Sequence, residues 1–534
     1  MNNPEKPKTM NLKRTMLAAL VAAVLIPGGL WARGKTGNAR IKVDIERQKG
    51  EIDRNIYGNF VEHLGRCIYG GLYEPGSPLS DEKGYRRDVL EATRALRTSL
   101  VRWPGGNFVS GYHWEDGIGP QAGRPTRIDL AWGFRESNAF GTDEFVEWCR
   151  RAATEPYFCV NLGTGTMDEA RNWVEYCNVE KGTYWSDLRR RNGYEKPHKV
   201  KYWALGNEMD GPWQLGHKSA EDYGMLAASV AAEDYGKFAL ETAKLMKWID
   251  RDIKLVVAGS SDYNGNWIDW NRTVLEYLKN HADYIALHNY VENRSNDYYK
   301  FMATTRFAEK AIRITEGLIA EAMTKAERKD PIYIAFDEYN VWYRAKGEEG
   351  NEEVYNLEDA LVVSTFLNIF VRNAHVVKMA NMAQLVNVIA PIFSTKEGSW
   401  YQTIFYPLQL FATHCHGTSL DTFVDCDTYA LGGERIPYLD VSAAYDNEAG
   451  EVIVNVTNRH REQAITTDIL CQTGRFGGKA TVYEVNGPDI KAENSMTRQA
   501  VKTVTKEAQA RGDRFTYAFP AHSFTLIRIP VVTD

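Results

Sequence analysis

A chain of 534 residues with 44% hydrophobic and 25% charged residues has the balance of a folded protein of two or three domains, which excludes intrinsic disorder and collagen-like repetition. Its formal charge of −6 offers no net attraction to nucleic acid or anionic lipid, so no nucleic-acid partner is expected. The seven cysteines include no CxxC pair, which excludes a zinc ribbon and a thioredoxin-type motif.

In chain order, Lys13 and Arg14 precede the uncharged run Met16–Ile26 and the break Pro27-Gly28-Gly29. This reads as an export signal over residues 1–32, which predicts a periplasmic or extracellular protein. The run has 11 residues, too few to span a bilayer as a helix, so no stable membrane insertion is expected once the signal is removed. Residues 38–53, with the alternating stretch Arg40–Glu46, are expected to give an edge strand to a later domain.

Eight short apolar runs then read as strands: Ile56–Phe60, Leu100–Trp103, Tyr157–Leu162, Val200–Leu205, Ile253–Ala258, Tyr284–His288, Ile332–Phe336 and Ala383–Ile389. Segments such as Asp143–Ala153, Ala232–Ile249 and Leu357–Val376 between them have helical periodicity. The alternation predicts an α/β fold, a (β/α)8 TIM barrel over residues 54–404. A doubly wound open sheet is the alternative, but no GxGxxG follows the first strand. From residue 405 to 534 short β-like segments (Tyr438–Ala444, Val452–Thr457, Ala480–Val485, Arg514–Phe519, Phe524–Ile529) predict an appended C-terminal antiparallel β-sandwich. Ala220-Glu-Asp-Tyr-Gly224 recurs as Ala232-Glu-Asp-Tyr-Gly236, and a 12-residue offset is 120° out of register on a helix, so both copies cannot share one face.

Barrel chemistry gathers at the C-terminal strand ends. Here those ends read Glu62-His63, Arg102-Trp-Pro-Gly-Gly-Asn107, Asn207-Glu208-Met-Asp210, His288-Asn-Tyr290, Asp337-Glu338-Tyr-Asn340 and Gln384-Leu-Val-Asn387. Two carboxylates facing one cavity are the minimum for glycoside hydrolysis, one protonating the leaving oxygen and one attacking or activating water. The fourth strand offers Glu208 or Asp210 and the seventh Asp337 or Glu338. Glu208 shares parity with Ala204 and Gly206, small residues suited to a barrel interior, whereas parity does not decide the seventh strand. Either pair alone would be read as a turn or helix cap; their conjunction carries the reading. Asp210 is expected to brace the loop behind Glu208. His63, His113, His217 and His288 lack HxH or HExxH spacing, so no metal is expected, and no cofactor.

Gly206-Asn-Glu208 with Gly-Pro-Trp213-Gln-Leu-Gly-His217 resembles the acid/base segment of the α-L-arabinofuranosidases of glycoside hydrolase family 51. The segments Asn59–Arg66, Arg102–Asn107, Phe336–Trp342 and Gln384–Pro391 are similar to that family in the same order. The resemblance implies a retaining hydrolase that removes terminal arabinofuranose from arabinan, arabinoxylan and their oligosaccharides, with Glu208 as acid/base and Glu338, not Asp337, as nucleophile. It further implies that Glu62, Asn107, Asn207, Tyr290 and Gln384 bind the sugar or the nucleophile. His288 would support the Tyr290 side and Trp213 would wall the pocket. Such roles need carboxyl groups about 5 Å apart and a raised pKa on Glu208. The family also implies a homo-oligomer. The alternatives are a retaining β-glycosidase (endoglucanase or β-xylosidase) on the same fold and a non-catalytic carbohydrate-binding protein.

Overall fold

The computed structural model describes residues 38–217, 227–346 and 351–533. The export signal and the first AEDYG copy fall outside them.

Eight parallel strands close into a barrel: β1 (Gly58–Phe60), β2 (Leu100–Trp103), β3 (Glu155–Val160), β4 (Tyr202–Leu205), β5 (Lys254–Val257), β6 (Tyr284–Val291), β7 (Tyr333–Val341) and β8 (Val377–Ala383). Each pairs with its neighbours in sequence, and β8 closes on β1. Side chains divide by parity. Leu100, Tyr157, Cys159, Tyr202, Ala204, Val256, Ala286 and Ala335 fill the interior. Val101, Trp103, Trp203 and Leu205 face the helices and join the larger core. The assignment of Ala204 inward and of Trp203 and Leu205 outward therefore holds.

The sixth and seventh strands run on to Val291 and Val341, past the expected His288 and Phe336, and the first and last depart further. The first begins as a 3-10 turn over Arg54–Tyr57, capped by Asp53, and becomes extended only at Gly58. There, a Cβ would lie 2.6 Å from Asn381 Nδ2, so glycine is needed for close strand packing. The last ends at Ala383, where the expected Ala383–Ile389 strand only starts. Asn387 and Ile389 have φ of 61° and 39°, and the amide of Gln384 donates to Ile389 O, so the apolar run is a buried turn. Apolarity in that run reports burial, not extension.

Helix Ala227–Ile249 carries the second AEDYG copy. Tyr235 within it donates to Leu205 O at 2.8 Å and accepts from the Ala258 amide at 2.7 Å, tying together the ends of β4 and β5.

The C-terminal part is a single 11-stranded sheet, largely antiparallel, that includes Leu439–Asp446, Glu451–Asn458, Arg475–Asn486, Arg514–Phe519 and Ser523–Val532. Ile41, Ile469 and Phe515 from one half share a core with Val441, Val454 and Ile527 from the other, so the sheet folds over itself in the manner of a sandwich. Residues 38–53 join it with two strands: Ala39–Val43 is paired on both sides, whereas Gln48–Glu51 forms one edge of the sheet. Helix Leu357–Arg372 locks sheet to barrel: Arg372 Nη1 meets Asp440 at 3.0 Å and Ser364 Oγ meets Thr457 Oγ1 at 2.7 Å. All seven cysteines are free thiols. No helix among the described residues is long and apolar enough to cross a membrane.

Candidate active site

The polar residues gather at the C-terminal rim of the barrel. At the end of β4, Gly206 and Glu208 have φ of 78° and 44°, a turn that sends both Asn207 and Glu208 to the pocket. On β7, the pairing with β6 slips between Ala286 and His288, and that with β8 between Phe336 and Tyr339. This irregularity brings the consecutive residues Asp337 and Glu338 both into the interior network, which strict alternation forbids.

Arg102, buried on β2, organises the centre. Its Nη1 donates to Glu338 Oε1 at 2.6 Å, its Nη2 to Asn207 Oδ1 at 2.6 Å, and its Nε lies 3.6 Å from Asp337 Oδ2. Tyr290 donates to Glu338 Oε2 at 2.9 Å. His288 Nδ1 contacts Glu208 Oε1 at 2.9 Å and its Nε2 contacts Asp337 Oδ1 at 3.0 Å, so His288 stands between two carboxylates and not simply behind Tyr290. Trp213, half exposed, donates its indole N–H to Glu208 Oε2. Ligating atoms of Glu208, His288 and Glu338 all lie within 4.8 Å of one another.

Glu62 accepts from the Phe108 amide at 3.0 Å, Trp132 Nε1 at 3.1 Å and Gln384 Nε2 at 3.3 Å. Asn107 sits at the rim with its amide turned to the Trp213–Leu215 segment, donating to Trp213 O and accepting from Leu215 N, both at 3.4 Å. Asp210 accepts from the amides of Ser261 and Asp262 at 2.7 and 2.9 Å, bracing the loop after β5. His63 is structural, held by Glu136 at 2.8 Å and Trp103 at 3.1 Å.

Arg102, Trp132 and the positioning part of Asp337 were not singled out from sequence. Arg102 could have been: it shares parity with interior Leu100, and a buried cation inside a barrel needs carboxylate partners. Nothing in the sequence near Trp132 points to Glu62, 70 residues away.

The charges are mutually dependent. Burial works against Arg102 and His288, yet Asp337 and Glu338 outweigh it and hold both cations above their usual range. Burial raises Asp337, but Arg102 and His288 outweigh it and keep that carboxyl low. Glu338 is raised, by burial first and also by the charge of Glu208, against His288 and Arg102. Glu208 is lowered: burial opposes this, but the hydrogen bond and charge of His288 and the Trp213 bond prevail. The expected raised pKa on Glu208 is thus corrected: the hydrogen bond and charge of His288 hold it below its usual range. With Arg102 and His288 as cations and Asp337 ionised, one proton between Glu208 and Glu338 would make the set neutral, the balance that burial of these groups favours.

Glu62 is raised from 4.5 to about 8, chiefly by burial, with Phe108 and Trp132 pulling the other way. The folded state therefore keeps a proton that the unfolded chain releases, and stability falls as pH rises through that window. In thermal melts, Glu62→Gln is expected to gain a few degrees over the parent at pH 8 and nothing near pH 4. Gly105 packs under the same side chain: a Cβ would lie 2.8 Å from Glu62 Cγ. Gly105→Ala should displace Glu62 at a cost of about 1–3 kcal/mol. It is expected to raise KM roughly tenfold or more, measured by steady-state kinetics.

Two family models match: one described as the α-L-arabinofuranosidase 1 domain over residues 92–306, the other as the α-L-arabinofuranosidase C-terminal domain over residues 337–523. The intracellular exo-α-(1→5)-L-arabinofuranosidase 1 of Bacillus subtilis is 42% identical, covering 87% of this chain and 93% of its own. The intracellular exo-α-(1→5)-L-arabinofuranosidase of Halalkalibacterium halodurans is 40% identical over 92% of this chain and 99% of its own. The chain belongs to the family 51 α-L-arabinofuranosidases. The solved structure of a thermostable GH51 α-L-arabinofuranosidase from Thermotoga petrophila is similar throughout, with a TM-score of 0.82 and 39% identity, covering 92% of this chain and 99% of that one. Membership sets the arabinofuranosidase reading above a β-glycosidase or a non-catalytic binding protein. It also overturns the expectation of export, because both bacterial relatives are named as intracellular enzymes.

Proposed function

We propose that this arabinofuranosidase acts by double displacement on terminal α-L-arabinofuranosyl residues of arabinan, arabinoxylan and their oligosaccharides, with Glu338 as nucleophile and Glu208 as general acid and then base. The observation that carries the assignment is the approach of carboxylate oxygens of Glu208 and Glu338 within 4.8 Å, a separation suited to retention and too short to seat an inverting water between them. Arg102 and Tyr290 hold Glu338 against the sugar, and the Arg102 charge stabilises it as an anion. Binding of a glycosidic oxygen beside Glu208 draws the shared proton there and leaves Glu338 ionised for attack on the anomeric carbon. The C–O bond to the leaving group breaks as Glu208 protonates that oxygen. Glu208, now a carboxylate, then removes a proton from the water that cleaves the glycosyl ester.

Glu62, Asn207 and Gln384 would bind the furanose hydroxyls, and the unpartnered Gln384 Oε1 is free to accept one. Trp213 would flank the leaving group, with Asn107 holding its loop. The names of both bacterial relatives support exo action and a preference for α-1,5 bonds. A homo-oligomer is proposed on family grounds, for analytical ultracentrifugation to decide.

The test is a panel of nitrophenyl glycosides followed by NMR of the first-formed product. Nitrophenyl α-L-arabinofuranoside is expected to be hydrolysed at least a hundredfold faster than the β-xyloside or β-glucoside, releasing the α-anomer first. A preference for a β-glycoside, or an initial β-arabinose, would refute the reading.

A further inference from the structure

We propose that Asp337 is a positioning residue that keeps His288 an imidazolium and thereby sets how readily Glu208 gives up its proton. The inference rests on the reading of Glu208 as acid/base. Asp337 is 1% exposed, and both its carboxylate oxygens are engaged by protein groups. Its Oδ1 meets His288 Nε2 at 3.0 Å, and its Oδ2 accepts from Tyr157 at 2.8 Å with Arg102 Nε 3.6 Å away. Those partners hold it ionised. The other ring nitrogen of His288 faces Glu208 at 2.9 Å. A ring with an ionised carboxylate on each nitrogen must carry two protons, since a neutral imidazole has one donor and one acceptor.

Three carboxylates meet that ring: Glu208 from the turn after β4, and Asp337 and Glu338 from β7, the last 3.6 Å from Nδ1. Around them, Arg102 from β2, with Tyr157 and Cys159 of β3 beside it, Tyr290 from the ring's own strand, Glu62 after β1 and Asp210 beyond Glu208 act on those carboxylates and on Arg102. Asp210 and Glu62 are both raised by burial, which limits their negative charge. Of the carboxylates, Glu338 loses its charge when it becomes an ester, and Glu208 alternates between acid and base. Asp337 alone stays charged through the cycle, so it alone can hold the imidazolium in both steps. A charged His288 donating to Glu208 favours the carboxylate, which makes Glu208 a stronger acid when the leaving group departs.

The sign of a pH shift tests this. Asp337→Asn keeps an acceptor for Nε2 and removes the charge. With its counter-ion gone, His288 becomes neutral, the Glu208–Glu338 pair holds its proton to higher pH, and the alkaline limb of kcat/KM on nitrophenyl α-L-arabinofuranoside should move up by about one pH unit or more. Had Asp337 acted only as one more negative charge, its loss would move the limb down; a limb that falls or stays overturns the proposal. Tyr157→Phe removes the hydrogen bond but keeps the charge, and should leave the limb in place; a shift as large as that of the Asn variant also overturns it. Independently of folding in the variant or of turnover, the ring nitrogens of His288 can be read by NMR in the parent protein labelled with ¹⁵N-histidine, the signal assigned by its loss in His288→Gln. Two protonated nitrogens at pH 7 support the proposal, and a neutral tautomer refutes it. If the parent fails to cleave any arabinofuranoside, the catalytic reading falls while this NMR result still decides the charge of His288.

Discussion

Glu338→Ala is expected to lower kcat on nitrophenyl α-L-arabinofuranoside by about 10⁴-fold or more, because no other side chain can take over its attack. Asp337 is adjacent in sequence, but it is buried and both its oxygens are committed to His288 and Tyr157. Arg102 and Tyr290 remain to frame the vacated space, so the substrate still binds and the defect falls on kcat. Azide is small enough to enter that space. It should restore turnover by attacking the face that Glu338 occupied, giving β-L-arabinofuranosyl azide with inverted configuration. Glu208 is left in place to protonate the leaving oxygen. Loss of the Glu338 charge also takes away the chief like-charge neighbour of Glu208, so the rescued reaction should follow a pH profile without the coupled acid limb. Mass spectrometry and NMR of the azide product measure both points. Unimpaired hydrolysis by this variant, or an α-configured azide from it, would remove Glu338 from the nucleophile's role.

Much of this arrangement was legible because barrel physics confines reactive groups to strand ends, and those ends can be found from short apolar runs bounded by turn residues. Parity along the fourth strand points Ala204 inward as read, but the strand ends at Leu205, and Glu208 reaches the pocket through the positive-φ turn that follows, together with Asn207, and not by alternation. The seventh strand could not be read the same way. The register slip after Phe336 turns both Asp337 and Glu338 into the interior network, and a slip depends on how two neighbouring strands pair, not on the residues of one. The final strand begins six residues before the apolar run Ala383–Ile389 for a related reason. Leu385–Ile389 is as apolar as a strand but is buried inside a turn, and burial is all that hydropathy records. The ends of long-range hydrogen bonds were least visible. Trp132 to Glu62, Tyr157 to Asp337 and Arg102 to Asn207 join residues 70 to 180 positions apart through the closure of the barrel. The lowered pKa of Glu208 is hidden from the sequence for the same cause: it depends on His288, a neighbour 80 residues away that only the folded chain supplies.

Glu208→Ala is expected to separate substrates by the quality of their leaving groups. An arabino-oligosaccharide departs as a poorly stabilised alkoxide and needs the proton that Glu208 provides, so its kcat/KM should fall by about 10²–10⁴-fold. A dinitrophenolate leaves without protonation, and its glycosylation step should survive nearly intact, since Glu338 keeps its contacts with Arg102 and Tyr290. Hydrolysis of the glycosyl ester has then lost its base and becomes rate-limiting, so KM for the dinitrophenyl substrate should fall with kcat. Azide needs no base. It should accelerate turnover and yield α-L-arabinofuranosyl azide, the opposite anomer to that from the Glu338 variant, because here it intercepts a covalent intermediate already formed on the other face. The alkaline limb should vanish as well, since it reports a proton this variant no longer carries. Equal losses on both classes of substrate would mean that Glu208 shapes the pocket without handling the proton. Removal of the carboxylate also frees the Trp213 indole and one face of His288, so near-normal affinity for arabinose, measured by calorimetry, distinguishes a chemical defect from a collapsed site.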